Sequence, residues 1–223
     1  MSDFTFLTDE QCFGDDKLDI LERRGTKAAI TDFSILLGSC ISDYYIDNDS
    51  SLEGRTYGYW TKSGEGDNDA RVVNAIGDSY YYNVNRRNVG ARPALPFSEA
   101  SSIPTNGESG KRARDGVLEV EYGYYPQKAV SRDMQDRLER AYKSGTISKT
   151  KNTYTTDSVA YWNNGTSFQP QAHQEYEYNG KRYVRVEANS YYKYFTLSNG
   201  EQYRNRDNVW VEVQPVKWLV DER

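Results

Sequence analysis

Apolar and polar residues alternate in short bursts along this chain, and the bursts are separated by Gly, Asn, Asp and Ser. Asp16 to Arg24 predicts a short helix, with Leu18, Ile20 and Leu21 on or near one face and Gly25 suited to its C-terminal cap. Ala28 to Leu37 is apolar enough to be buried, with a period that fits strand and helix alike. Residues 41–69 are rich in Asp, Gly, Ser and Tyr and lack a helical period, which is loop chemistry. Arg71-Val72-Val73-Asn74 and Tyr80-Tyr81-Tyr82-Asn83-Val84 flank Gly77-Asp78 and predict a hairpin. In Val89 to Phe97, Pro93 and Pro96 exclude a central-strand position. Ser98 to Asp115 turns polar and Gly/Ser-rich, as a linker or long exposed loop does.

Further on, Val117 to Tyr122 alternates as a strand. Ser131 is placed to cap a helix with Met134, Leu138 and Ala141 on one side, and Gly145 ends it. Glu175 to Glu187 is the clearest hairpin: Tyr176 and Tyr178, then Asn179-Gly180, then Tyr183, Val184 and Val186. After a turn at Asn199-Gly200 come two Trp- and Val-bearing strands, Val209 to Val213 and Val216 to Val220, interrupted by Pro215. The chain stops at Arg223 almost directly after an apolar strand, which points to a truncated chain or to a strand that pairs elsewhere in the fold. Short strands, two or three helices and many turns predict an α+β protein with short antiparallel strands and long loops.

Composition sharpens this picture in one respect. The 223 residues include 20 Tyr against 7 Phe and 4 Trp, within a modest 37% hydrophobic total. Tyr combines a large apolar ring with a water-tolerant hydroxyl, so it favours strands and contact surfaces over helical bundles. The plain alternative is that the tyrosines cover half-buried sheet faces. A net charge of −5 argues against a nucleic-acid groove, which needs a concentrated basic face. No stretch approaches the roughly 20 apolar residues of a membrane span, so no membrane insertion is expected. Met1-Ser2-Asp3-Phe4 lacks the features of a signal peptide, which makes a cytoplasmic or virion-associated protein the default. Cys12 and Cys40, the only cysteines, are expected to be free and partly buried.

Catalytic and metal chemistry find little support. His173 is the only histidine, and its polar surroundings from Gln169 to Gln174 predict a surface residue without a catalytic role. Gly64-Glu65-Gly66 lacks the Lys-Ser/Thr partner of a phosphate loop. Asp47-Asn48-Asp49-Ser50 and Asp67-Asn68-Asp69 offer oxygen ligands but no EF-hand spacing. The reading is of a protein that is not an enzyme and needs no metal or cofactor.

Tyr59-Trp60-Thr61-Lys62-Ser63, Ala70-Arg71-Val72-Val73-Asn74, Gly77, Val84-Asn85 and Val89-Gly90-Ala91-Arg92-Pro93-Ala94-Leu95 together resemble the closing segment of a family of bacterial and phage C-type-lectin-like domains. That family is related to the formylglycine-generating-enzyme fold. Its segment ends in a Trp-containing strand, a variable hairpin and a Gly-x-Arg-Pro-Ala-Leu strand. Phe4 to Glu10 resembles the strand-into-helix entry that precedes it. Glu119-Val120-Glu121-Tyr122-Gly123-Tyr124-Tyr125-Pro126-Gln127 looks like the family's opening strand and turn, and Val213 to Val220 like a central strand. The order is inverted, so the resemblance implies a permuted domain or the start of a second one. The organisation it suggests is a lectin-like segment over 1–98, a linker or long loop over 99–116, and a strand-rich segment over 117–223 that could pack with the first as one domain. The cysteine pair of formylglycine-generating enzymes is missing, and with it that activity.

In such relatives this segment serves as the variable region of a diversity-generating retroelement, which mutates adenines and populates a surface with Asn, Tyr, Ser, Asp and Gly. Tyr57, Tyr59, Asp67, Asn68, Asp69, Asn74, Asp78, Ser79, Tyr80, Tyr81, Tyr82, Asn83, Asn85 and Asn88 fit that alphabet and are the candidate ligand-binding residues. Tyr supplies rigid amphipathic contact area and Ser, Asn and Gly supply adaptable hydrogen bonds, as in antibody loops. Trp60, Val72, Val73, Val84 and Arg92 would be the scaffold, with Arg92 structural because a charge within an apolar strand must be paired. The expected function is recognition of a protein or glycan ligand. The alternatives are an ordinary exposed hairpin and a structural or assembly protein in which Tyr59, Trp60 and Tyr80 to Tyr82 lie in an oligomer interface.

Overall fold

Turn and cap chemistry set out most of the elements in the computed structural model, which describes residues 5–39, 56–84, 89–96, 110–158 and 169–222. The fold is mixed α+β: the strands are mostly antiparallel, and the described residues include four short helices, Asp9–Phe13, Asp19–Arg24, Asp32–Leu36 and Arg132–Lys143. The chain divides into two units, neither contiguous in sequence. One gathers Met1–Ile30, Ile41–Gly123 and Pro215–Arg223, the other Thr31–Cys40 and Tyr124–Gln214.

In the first unit, strand Thr5–Phe6 leads into helix Asp9–Phe13 through a capping box. The Gln11 amide N–H donates to Thr8 Oγ1 at 3.1 Å and the Thr8 N–H to Gln11 Oε1 at 2.9 Å, satisfying two donors that a helix start leaves open. Thr5–Phe6 pairs with Pro93–Ala94, and Ala28–Ala29 with Thr56–Tyr57. A three-stranded antiparallel sheet follows, Tyr59–Glu65, Asp69–Val73 and Ser79–Asn83 in spatial order. Residues 59–65 are thus strand, where Gly and Ser suggested loop; pairing with Asp69–Val73 supplies the ladder that local propensity did not. Cys12, Leu21, Ala28, Tyr59 and Val73 form the core, with Leu7, Phe13, Leu18, Ile20 and Tyr57 packed against it. The Asp16 to Arg24 helix starts only at Asp19. Part of the expected linker is also ordered: Lys111–Arg112 pairs with Leu118–Glu119 across a turn closed by Gly116 at φ 82°.

The second unit is built on strands Ser148–Ser158, Gln169–Tyr178, Lys181–Glu187, Asn208–Val220 up to Gln214, and the Tyr124–Ala129 part of Leu118–Ala129, in that spatial order. Asn179 (φ 52°) and Gly180 (φ 74°) take left-handed conformations between Gln169–Tyr178 and Lys181–Glu187, as a tight hairpin with right-twisted strands demands. Helix Arg132–Lys143 buries Leu138 and Ala141, with Met134 alongside, over Val130, Tyr176, Tyr183 and Trp210. A polar residue shares that buried face. Gln135 Nε2 donates to the Trp210 carbonyl at 2.9 Å while Gln135 Oε1 accepts from the Trp210 N–H at 2.7 Å, so the helix is keyed to the strand by a two-way amide bond.

Three further expectations change. Val209 to Val213 and Val216 to Val220 are one strand, Asn208–Val220, because Pro215 removes a single donor while the flanking residues keep the ladder. The strand and turn expected over Glu119 to Gln127 are one continuous strand, with Gly123 at φ 73°. The apolar stretch Ala28 to Leu37 splits: Ala28–Ala29 is strand in the first unit, and Asp32–Leu36 is helix in the second, burying Phe33, Ile35 and Leu36.

Candidate binding surface

The hairpin of Asp69–Val73 and Ser79–Asn83 is organised by its turn. The Asn74 side-chain oxygen accepts from the Ile76 and Asp78 N–H groups at 3.0 and 2.9 Å, and Gly77 holds φ 93°. Register then fixes two different faces. Trp60, Val72 and Tyr80 stand in one cross-strand row, with Ala70 and Tyr82 beside it. On the other face Arg71 stands opposite Tyr81, and Asp69 opposite Asn83. Ser79–Asn83 is the outermost strand of this sheet.

Tyr80 and Tyr81 are the exposed centre of the surface, 48% and 49% accessible. Their ring centroids lie 5.3 Å apart with planes only 9° from parallel, and the Tyr82 ring meets Tyr80 edge-on at 5.2 Å. Consecutive strand residues start on opposite faces, so the two rings meet only because their side chains turn toward each other. Asp67, Asn68, Asp78, Ser79 and Asn83 are exposed around them, and Asp69 is half-buried. Ser79 Oγ donates to Asp9 Oδ1 at 3.0 Å.

Two candidates leave the surface. Tyr59 is fully buried, donating its hydroxyl to the Thr26 carbonyl at 2.8 Å, and burial pushes its phenol up to about 12. Asn74 is buried by its role in the turn. Tyr57 is half-buried: its hydroxyl donates to the Ala91 carbonyl at 2.8 Å, and its ring covers Gly90 so closely that a Cβ there would lie 1.8 Å from it. Asn85 and Asn88 lie outside the described residues, as do Cys40 and Asp47 to Ser50. Arg92 is a framework residue, donating to the Thr26 carbonyl at 3.0 Å and the Tyr59 hydroxyl at 3.2 Å. Cys12 is free and buried beneath them, and desolvation pushes its thiol up to about 11.

A polar centre in the second unit escaped sequence reasoning. Glu175 is wholly buried; its Oε1 accepts from Thr150 Oγ1 at 2.9 Å and Asn152 Nδ2 at 3.0 Å, and its Oε2 from the Tyr154 hydroxyl at 2.7 Å. Arg182 Nη1 stands 3.7 Å from Oε2 and lies over the Tyr124 ring. A carboxylate so enclosed is a structural anchor, since its acceptor sites are already taken. His173 corrects the surface expectation. It is buried, its ring set edge-on to Phe33 at 5.4 Å, and desolvation lowers its pKa. The alternation of Gln169–Tyr178 puts His173 and Glu175 on one face, a signal masked by their polarity.

Among the described residues no group of His, Cys, Asp or Glu is placed to hold a metal, and no helix is long and apolar enough to cross a membrane. No protein-family model, curated protein or solved structure matches the chain.

Proposed function

We propose that this chain is a ligand-recognition protein of the bacterial and phage C-type-lectin-like kind, displaying the 57–88 segment as the variable surface of a diversity-generating retroelement. The observation that carries the reading is the stacked, solvent-facing Tyr80–Tyr81 pair on an outermost strand, ringed by short polar residues. Large aromatic side chains left in water lose favourable burial unless a partner covers them. Rigid Tyr with adaptable Asp, Asn and Ser is the composition of an antibody-like contact surface. Tyr59, Val72, Val73 and Arg92 serve as the framework under it.

A printed array of glycans and bacterial surface proteins tests recognition. Spots bound by the native protein should be lost with Tyr80→Ser/Tyr81→Ser; an unchanged pattern sinks the reading. Diversification has its own test in the neighbouring DNA, which should encode a reverse transcriptase and a near-repeat of the codons for residues 57–93 differing at adenines. Absence of both removes that part. The same exposed tyrosines favour self-assembly as a second reading; light scattering should then show an oligomer that Tyr81→Ala dissociates.

A further inference from the structure

We infer that the partner of the Tyr80–Tyr81 surface is a protein segment presenting arginine, an inference that rests on the recognition role proposed above and names its ligand class. The hairpin from Glu65 to Asn83 carries four carboxylates, Glu65, Asp67, Asp69 and Asp78, against one guanidinium, Arg71. Arg71 is already engaged, with its Nε 2.6 Å from Glu65 Oε2. Lys62, the other cation of the three-stranded sheet, belongs to the strand at the opposite edge from the tyrosines. Among the described residues, Asp67, Asp69 and Asp78 have no cation within ion-pair distance, which leaves their carboxylates open to a cationic side chain from a partner.

Two features of this surface converge on one side chain. The stacked Tyr80 and Tyr81 rings turn one face toward each other, and a guanidinium stacks flat on an outer face that such a ring keeps. The same guanidinium keeps its edge N–H groups free for a carboxylate, which a compact ammonium cannot present in a planar fork. A neutral sugar would use the rings and leave the carboxylates unpaired. An acidic segment would be repelled.

The test uses the intact protein, labelled for NMR, and three synthetic probes: a Gly-Arg repeat peptide, the same peptide with citrulline for arginine, and the same with lysine. Citrulline keeps the shape and removes the charge; lysine keeps the charge and removes the planar fork. The arginine peptide should shift the Asp78 to Asn83 amides, bind at least about tenfold more tightly than the citrulline peptide, and weaken with salt. Lysine should fall between them. Binding should be lost in Tyr80→Ser/Tyr81→Ser and in Asp67→Asn/Asp69→Asn/Asp78→Asn, whose exposed or half-buried positions leave the core intact. Equal binding of the citrulline peptide, equal binding by the Asp→Asn protein, shifts confined elsewhere, or no binding overturns the inference. Tyrosine-dependent spots persisting on the array would then show that recognition stands and only the ligand class is wrong.

Discussion

At the scale of single residues, environment separates side chains of the same type. Tyr59 and Tyr80 lie on the two outer strands of one three-stranded sheet, yet Tyr59 is enclosed by Thr26 and Arg92 while Tyr80 faces solvent. Glu175 is the most consequential single residue of the second unit. Replacing it by Ala leaves Thr150, Asn152, Tyr154 and Arg182 without their shared acceptor and opens a cavity. Glu175→Ala should cost about 3 kcal/mol or more in urea unfolding. His173 offers a cleaner test, since it is the only histidine and gives a single ring resonance. Its midpoint in an NMR titration should lie below the ordinary 6.5, because burial favours the neutral form. The unfolded chain takes up that proton first, so stability falls as pH drops below 6.5 towards the folded midpoint. A midpoint at or above 6.5 contradicts the buried placement.

At the scale of elements, helix Arg132–Lys143 shows how pattern and packing divide the work. Its periodicity marked Met134, Leu138 and Ala141, and those residues do face the sheet. Its attachment depends equally on Gln135 and Glu139, which no hydrophobic period reveals. Glu139 accepts from Arg185 Nε and Nη2 at 3.0 Å each and from the Trp210 indole at 3.1 Å. The Arg185 bond is the main cause that pulls its carboxyl down from 4.5 to about 2. A depressed carboxyl contributes stability above its unfolded value and loses it as pH falls, here between 4.5 and about 2. With about a quarter of each partner's side chain exposed, solvent screening leaves an effect of about 2 kcal/mol. Glu139→Gln should remove that amount at neutral pH and flatten the acid limb of the stability curve over the same window. A variant with an unchanged limb would show that the pair adds nothing.

At the scale of the whole chain, two units are each assembled from separated segments, while the candidate surface draws mainly on one local hairpin. Its exposed tyrosines contribute little to the core, so Tyr80→Ser/Tyr81→Ser should leave the melting temperature within a degree or two of native, about 0.5 kcal/mol, while abolishing binding. A large drop would mean that the pair holds the fold together. The hairpins at Gly77 and at Asn179-Gly180, the helix that follows Ser131 and the alternation of strands were legible because turns and periods act over a few residues, although the Ser131 side chain makes no capping hydrogen bond. The mixed α+β class followed from them. Other features depended on partners far along the chain: Asp32 accepts from the Ala129 N–H, 97 residues away, at 2.8 Å, and Tyr59 from its own strand reaches Thr26, 33 residues back. Burial of His173, Glu175 and Gln135 was hidden because polarity alone predicts water, and only tertiary partners make a polar interior position stable. The sequence by itself determined where the chain turns and which residues alternate. The tertiary structure decided which alternating face meets solvent, and so which tyrosines are core and which stay exposed, because exposure is set by neighbours that local pattern does not contain.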